Sequence, residues 1–80
     1  MNVQERVLAL IESQVEEIGL LCDQITLQSN IMGEIGLSSL DLGEFISLLE
    51  EEFDIEISER DLTRIVTVQD ACDVVAEKLA

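Results

Sequence analysis

The absence of proline is the feature that most restricts what this chain of 80 residues can fold into. Proline interrupts helices, and only four glycines remain to mark helix ends, so long helical segments are allowed. Hydrophobic residues make up 48% of the chain, which suits one compact core and is too many for a disordered chain. The sequence therefore predicts an all-α fold.

The first predicted helix spans residues 3–18 and is amphipathic. Its apolar residues recur at intervals of three and four with glutamates between them. These apolar positions are Val3, Val7, Leu8, Ile11, Val15 and Ile18. Gly19 follows and predicts a left-handed C-terminal cap. Residues 20–37 have no sustained period, so we expect a long loop that its own apolar side chains hold against the core.

A second helix is predicted to begin at Ser38 or Ser39 and to end near Phe53. Its core-facing stripe consists of Leu42, Phe45, Ile46, Leu49 and Phe53. Ser38, with Asp41 three residues later, is typical of an N-terminal cap. The glutamates at 50–52 oppose the helix dipole, which costs stability. They form either a solvated face or a surface for a partner.

Two further helices are predicted in the last third of the chain. Residues 54–57 alternate polar and apolar but should form a loop, because a lone short strand would have no partner. Capping pairs at 58/61 and 67/70 predict a short helix ending near Ile65 and a final helix. The stripe of the final helix is Val68, Ala71, Cys72, Val75 and Leu79. The expected architecture is a small four-helix bundle in one domain, residues 1–80, with a short third helix and a long loop between helices one and two.

The charge of the chain selects against several kinds of partner. Eighteen acidic residues face four basic ones, giving a net charge of −14, and no basic residue lies between Arg6 and Arg60. Such a field repels nucleic acids and anionic membranes and favours basic surfaces on other proteins. The chain has no His, Tyr or Trp, so ordinary hydrolytic chemistry is not expected and the protein is predicted not to be an enzyme.

The cysteines and the N-terminus point to a reduced, cytoplasmic protein. Cys22 and Cys72 are fifty positions apart, with no His and no paired cysteine motif, so we expect reduced thiols, a structural disulfide being the less favoured alternative. No metal site or calcium-binding loop is predicted. The chain has no signal-peptide layout and no apolar run of membrane-spanning length, and we expect a monomer in the cytoplasm without membrane insertion.

The segment 36–41, Gly-Leu-Ser-Ser-Leu-Asp, is the most informative part of the sequence. If Ser38 caps the second helix, the hydroxyl of Ser39 is left free. At 100° per residue Ser39 lies roughly 60° from the core stripe, where an enzyme can reach it. A phosphate ester there would lie beside unpaired N–H groups and the positive end of the helix dipole. Alternatively, both serines are only caps.

This segment resembles the attachment motif of the acyl carrier protein family, Asp-Ser-Leu after a Gly-x pair. The resemblance extends, in order along the chain, to residues 5–7, 49–57 and 65–71. It implies a small four-helix bundle and places the family's 4′-phosphopantetheine on Ser39. The thiol of that arm carries acyl groups as thioesters. The implied partners are a phosphopantetheinyl transferase and acyl-loading and acyl-transfer enzymes with basic docking patches, of fatty-acid, lipid or polyketide-type synthesis.

The sequence departs from the family pattern at two positions. Ser38 replaces the family's acid before the attachment serine, which leaves open which transferase accepts the chain. Gly43 replaces an apolar residue, and it is either kept for close approach of a partner or the arm, or a neutral surface glycine. We predict a docking face of Leu40, Gly43, Glu44, Ser47 and Glu51, with Glu50 also meeting basic rims.

The resemblance leaves the cargo and the pathway open. The helix-two stripe, with Ile11, Val15, Val68, Val75 and Leu79, is expected to part and shelter an acyl chain. An alternative is a carrier of aminoacyl or other non-fatty cargo. A function of another class is an acidic helical adaptor that is never modified, which would not need a free hydroxyl at Ser39.

Overall fold

The computed structural model describes residues 2–20 and 24–80. It contains α1 (Val3–Ile18), a π-helical turn (Ile31–Ile35), α2 (Ser39–Phe53), α3 (Glu59–Leu62) and α4 (Val68–Leu79). No strand occurs among these described residues, so the predicted all-α class is confirmed. The predicted count of four helices missed the π-helical turn, which lies inside the segment expected to be loop.

Side-chain caps account for where the helices begin. Each of α2, α3 and α4 starts with a capping box, in which a Ser or Thr hydroxyl accepts an N–H from an Asp whose carboxylate accepts the N-cap N–H. These boxes pair Ser38 with Asp41, Ser58 with Asp61 and Thr67 with Asp70, as the sequence predicts. Gly19 ends α1 at its C-terminus, where it adopts φ 78°, and this confirms the predicted cap.

The long segment between α1 and α2 is fastened to the start of α4. The amide of Ile31 donates to Val66 O at 2.9 Å, and the amide of Val68 donates to Ser29 O at 3.1 Å. Asn30 Oδ1 accepts the amide of Gly33 at 2.7 Å and so caps the start of the π-helical turn. The segment is therefore held by backbone hydrogen bonds as well as by the predicted burial of its apolar side chains, Ile31, Ile35 and Leu37.

The core lies where α1, α2 and α4 meet. α1 and α2 run antiparallel, since Arg6 near the start of α1 contacts Glu52 near the end of α2, while Gln14 contacts Asp41 in the first turn. The buried apolar residues are Val7, Ile11, Val15, Ile31, Ile35, Leu37, Phe45, Ile46, Leu49, Phe53, Ile65, Val68, Ala71, Cys72, Val74 and Val75. Most of the predicted stripes are in this set.

Two details differ from the predictions. α3 ends at Leu62 rather than near Ile65, because the chain turns at Thr63 and Ile65 is buried from the link to α4. Leu79 is 49% exposed, since the last turn of α4 extends past the core, so its predicted place in the core is wrong. Cys72 is a free, buried thiol; Cys22 lies outside the described residues, so the prediction for it stays a prediction.

Candidate functional site

The two serines at the head of α2 have different surroundings. Ser38 is the N-cap: its Oγ accepts the amide of Asp41 at 3.1 Å and donates to Asp41 Oδ2 at 2.9 Å. Ser39 is the first helical residue, is exposed, and its hydroxyl has no hydrogen-bond partner among the described residues. Only the Ser39 hydroxyl is therefore available for chemistry without breaking the cap.

The first turn of α2 offers unpaired donors beside that hydroxyl. The amides of Ser39 and Leu40 have no acceptor within the described part of the chain, whereas that of Leu42 donates to Ser38 O. Free amides and the positive end of the helix dipole favour a negative group at this position. A phosphodiester on Ser39 would thus be stabilised by the helix that carries it.

The predicted docking residues beyond Ser39 form an exposed face of α2. Leu40 is 79% exposed, more than any other large hydrophobic residue in the described part of the chain. A Cβ built on Gly43 would have no atom within 4 Å, so the helix backbone is open to approach there. Glu44, Ser47 and Glu51 follow along the same helix and are also exposed. Leu40 is apolar, Gly43 has no side chain, Ser47 is small and polar, and the two glutamates are anionic, which suits an apolar and basic partner surface.

Part of this face is one wall of a groove between α1 and α2. The groove has a volume of about 550 Å³, and from α2 Glu44, Ser47, Leu48 and Glu51 line it. The other wall belongs to α1 and comprises Gln14, Glu17 and Ile18. We did not predict the contribution of α1 from the sequence. A signal was present, because Gln14 stands at i+3 from Ile11 and i−4 from Ile18, a core position filled by a polar residue.

The three successive glutamates near the end of α2 have three different environments. Glu50 Oε2 accepts the amide of Ile57 at 2.9 Å and thereby holds the loop after α2. Glu52 pairs with Arg6 at 2.7 Å, and Arg6 also lies 4.3 Å from the ring centroid of Phe53. Only Glu51 has no ion pair or hydrogen bond in the described part of the chain. Two of these carboxylates thus have partners that offset the expected unfavourable interaction with the helix dipole.

Glu50 is separated from the other predicted docking residues. It lines a different hollow, with Glu56, Ile57, Ser58 and Lys78, rather than the groove between α1 and α2. The structure gives Glu50 a role in fixing the loop. Its contact with a partner stays a prediction.

The basic residues do not neutralise the exposed face of α2. Lys78 binds Asp61 at 2.8 Å, Arg64 binds Glu77, and Arg6 binds Glu52. The hydrogen bond from Lys78, together with those from Ser58, lowers the pKa of Asp61 from 3.8 to about 2. Glu17, Glu44 and Glu51 take part in none of these pairs. No ion pair therefore reduces the negative potential of the carboxylates around the groove.

Two other kinds of site find no support in the described residues. Burial raises the pKa of the Cys72 thiol to about 11, so this group stays protonated at neutral pH and is a poor acyl acceptor. Nowhere in residues 2–20 and 24–80 do three or more Cys, Asp or Glu side chains cluster in a way that could hold a metal ion. Within the same residues no helix is long and apolar enough to cross a membrane.

Comparisons with known proteins agree with this geometry. The family model described as a phosphopantetheine attachment site matches residues 5–75. A solved structure of a candidate acyl carrier protein from Mycobacterium tuberculosis is 34% identical, with a TM-score of 0.83, and the match covers 95% of this chain and 97% of that one.

Two more distant structures share the fold. The acyl carrier protein of Thermotoga maritima is 24% identical with a TM-score of 0.78, over 96% of this chain and 91% of that one. The doublet acyl carrier protein of prodigiosin biosynthesis is 19% identical with a TM-score of 0.69, over 98% of this chain and 38% of that one.

The family model and the fold agree on the kind of group that this domain holds. The free serine at the head of α2, the unpaired amides beside it and the open surface that follows fit a covalently attached 4′-phosphopantetheine. The chain therefore belongs to the acyl carrier proteins, the family whose domain is the site of 4′-phosphopantetheine attachment.

Proposed function

We propose that residues 1–80 act as one non-catalytic carrier domain, that Ser39 Oγ is the attachment atom, and that the carrier presents acyl groups to enzymes of fatty-acid, lipid or polyketide-type synthesis. When bound, the arm supplies a terminal thiol that holds acyl groups as thioesters. The observation that supports this proposal most directly is that the two serines at the head of α2 have different roles. Ser38 is committed to the cap, and Ser39 is exposed and free.

The chain's own residues contribute attachment, stabilisation and recognition. Asp41 and Ser38 fix the first turn, so that Ser39 is held on a rigid helix end rather than on a loop. The free amides of that turn offset the charge of a phosphodiester. Leu40 offers an apolar contact, and Glu44 and Glu51 attract the basic rims of partner enzymes.

Two features bear on the choice of transferase and on the cargo. Ser38 lacks the charge that the family's acid gives, so we expect a phosphopantetheinyl transferase that tolerates a neutral residue before the attachment serine. The buried residues Ile11, Val15, Val68 and Val75 are apolar, which favours a fatty over an aminoacyl cargo if the helices part to shelter it.

The attachment test uses two single variants. The chain is incubated with coenzyme A, magnesium and a broad-specificity phosphopantetheinyl transferase, and the modified peptide is mapped by mass spectrometry. Ser39→Ala should abolish modification. Ser38→Ala should retain it while losing about 1 kcal/mol of stability with the cap. Modification that persists in Ser39→Ala and disappears in Ser38→Ala would reverse the assignment, and no modification of the wild type would favour an unmodified adaptor.

The docking test uses a matched pair of double variants. Glu44→Lys with Glu51→Lys should slow acyl transfer from the modified carrier to its acyl-handling enzyme, and the defect should shrink at high salt because it acts through electrostatic steering. Glu12→Lys with Glu16→Lys changes the net charge equally on exposed positions of α1 outside the groove. Equal transfer rates in both double variants would remove α2 as the docking surface.

A further inference from the structure

Side-chain hydrogen bonds join α1 to α2 at both ends of the contact between the two helices. At one end Arg6 binds Glu52 at 2.7 Å, and these side chains are 36% and 39% exposed. At the other end Gln14 Nε2 donates to Asp41 O at 2.8 Å, and Gln14 is only 4% exposed. Water weakens an exposed ion pair, whereas a buried hydrogen bond is electrostatically stronger. The better shielded of the two contacts is therefore at the end of α2 that carries Ser39.

Asp41 takes part in three contacts at the head of α2. Its amide donates to Ser38 Oγ at 3.1 Å, and its Oδ2 accepts the hydroxyl of Ser38 at 2.9 Å. Its carbonyl accepts the side chain of Gln14. The first two contacts fix the first turn internally, and the third fixes that turn to α1. Because Ser39 lies between Ser38 and Asp41, the position of its Oγ relative to α1 depends on Gln14.

Gln14 is not the residue that stability alone favours at this position. Its neighbours Ile11 and Val15 are buried, and its Oε1 is the one buried side-chain oxygen or nitrogen without a hydrogen-bond partner in the described part of the chain. A buried acceptor without a partner destabilises a fold. Methionine has a similar length and no group that needs a hydrogen bond. It would also leave Asp41 O paired, since a helical carbonyl accepts the amide four residues on. The glutamine thus costs stability, which indicates that its donor has another role.

We propose that Gln14 is a positioning residue for the modification of Ser39. Its hydrogen bond to Asp41 O places the first turn of α2 on α1, so that Ser39 Oγ is aligned with the diphosphate of coenzyme A in the transferase. This inference rests on the function proposed above for Ser39.

The step that depends on this alignment is a phosphoryl transfer. Ser39 Oγ forms a bond to the phosphorus next to the pantetheine, the P–O bond to adenosine 3′,5′-bisphosphate breaks, and the hydroxyl proton passes to a base of the transferase. A small displacement of a reacting atom slows such a step, even where the binding surface is unchanged. Loss of the Gln14 donor should therefore lower kcat and leave KM unchanged.

The kinetic test makes the same substitution at two glutamines of α1. Initial rates of modification are measured against carrier concentration, with coenzyme A, magnesium and a broad-specificity phosphopantetheinyl transferase. Gln14→Met should lower kcat at least about tenfold, with KM within about twofold of the wild type. Gln4→Met, at an exposed position of α1, should change neither constant.

Two measurements without the enzyme distinguish positioning from a general loss of structure. The Tm of Gln14→Met should equal or exceed that of the wild type, because the substitution removes the unpaired acceptor. Amide hydrogen exchange, followed by NMR, should become faster at Leu42, whose amide donates to Ser38 O in the first turn of α2. Exchange should be unchanged at Leu49, which is buried further along the same helix.

The outcomes separate this inference from the function on which it rests. A wild type that is not modified would overturn both. A modified wild type with the kcat of Gln14→Met, equal exchange at Leu42 in the two proteins, or a rise in KM at unchanged kcat would overturn the positioning role alone. A lower Tm in Gln14→Met and in Gln14→Leu, or failure of both to fold, would show that Gln14 is only structural.

Discussion

Gly43→Ala is expected to stabilise the protein, because the glycine occupies an ordinary helical position with empty space around it. It lies inside α2, its φ is not in the left-handed region, and an added Cβ would meet no atom within 4 Å. Alanine loses less backbone entropy than glycine when a helix forms, a difference of about 1 kcal/mol. In a domain of this size that free energy corresponds to a rise in Tm of roughly 4–8 °C.

The matched control is Gly36→Ala at the end of the π-helical turn. An added Cβ there also has no atom within 4 Å, but φ is +95°, so neither site is crowded and only Gly36 has a left-handed backbone. Alanine in a left-handed conformation should cost about 1–2 kcal/mol. Both variants are measured by urea denaturation followed by far-UV circular dichroism. Changes of the same sign in the two variants would show that backbone conformation does not determine the effect of the added Cβ.

Gly43→Ala also distinguishes between the two explanations for a glycine at position 43. Since Gly43→Ala is expected to leave the fold intact and more stable, a slower modification of Ser39 in it would report on the approach of a partner. An unchanged rate would identify Gly43 as a neutral surface glycine.

Three further perturbations test the electrostatics. Arg6→Met should lower the free energy of unfolding by about 1 kcal/mol in urea denaturation, because it removes the pair with Glu52 and a cation–π contact, whereas Arg60→Met, which removes no ion pair within the described residues, should not. The lowered pKa of Asp61 means that its stabilisation is complete above the ordinary value of 3.8 and is lost as the pH falls toward about 2. The advantage of the wild type over Asp61→Asn in Tm should therefore disappear within that pH range. Added salt or millimolar magnesium should raise Tm, because salt screens the repulsion between the acidic residues, to a range of about 10 Å at 0.1 M. An unchanged Tm would show that the acidic residues lie too far apart for their repulsion to affect stability.

The sequence predicts the helices well where one residue type determines a boundary. The ends of α1 follow from its apolar period and Gly19, and the starts of α2, α3 and α4 follow from their capping pairs. Local hydrogen bonds determine these boundaries, so a local pattern reveals them. The extra length predicted for α3 came from Ile65, whose burial is due to tertiary packing and not to a helical turn.

The remaining features depend on contacts between distant residues. The π-helical turn has five residues, too few to show a period, and hydrogen bonds to the segment before α4 hold it. Burial of Val74 widens the predicted stripe of α4, because both α1 and α2 pack against that helix. At the candidate site, the division between Ser38 and Ser39 could be predicted. The groove could not, since α1 supplies three of its seven lining residues.

We propose that Ser39 is the residue that carries the arm. The most direct test of this assignment is the intact mass and peptide map of the protein purified from its own host, before and after mild cleavage of thioesters. We expect phosphopantetheine on the peptide that contains Ser39, and an additional acyl mass that cleavage removes. An unmodified chain, or phosphopantetheine on any other residue, would contradict this assignment.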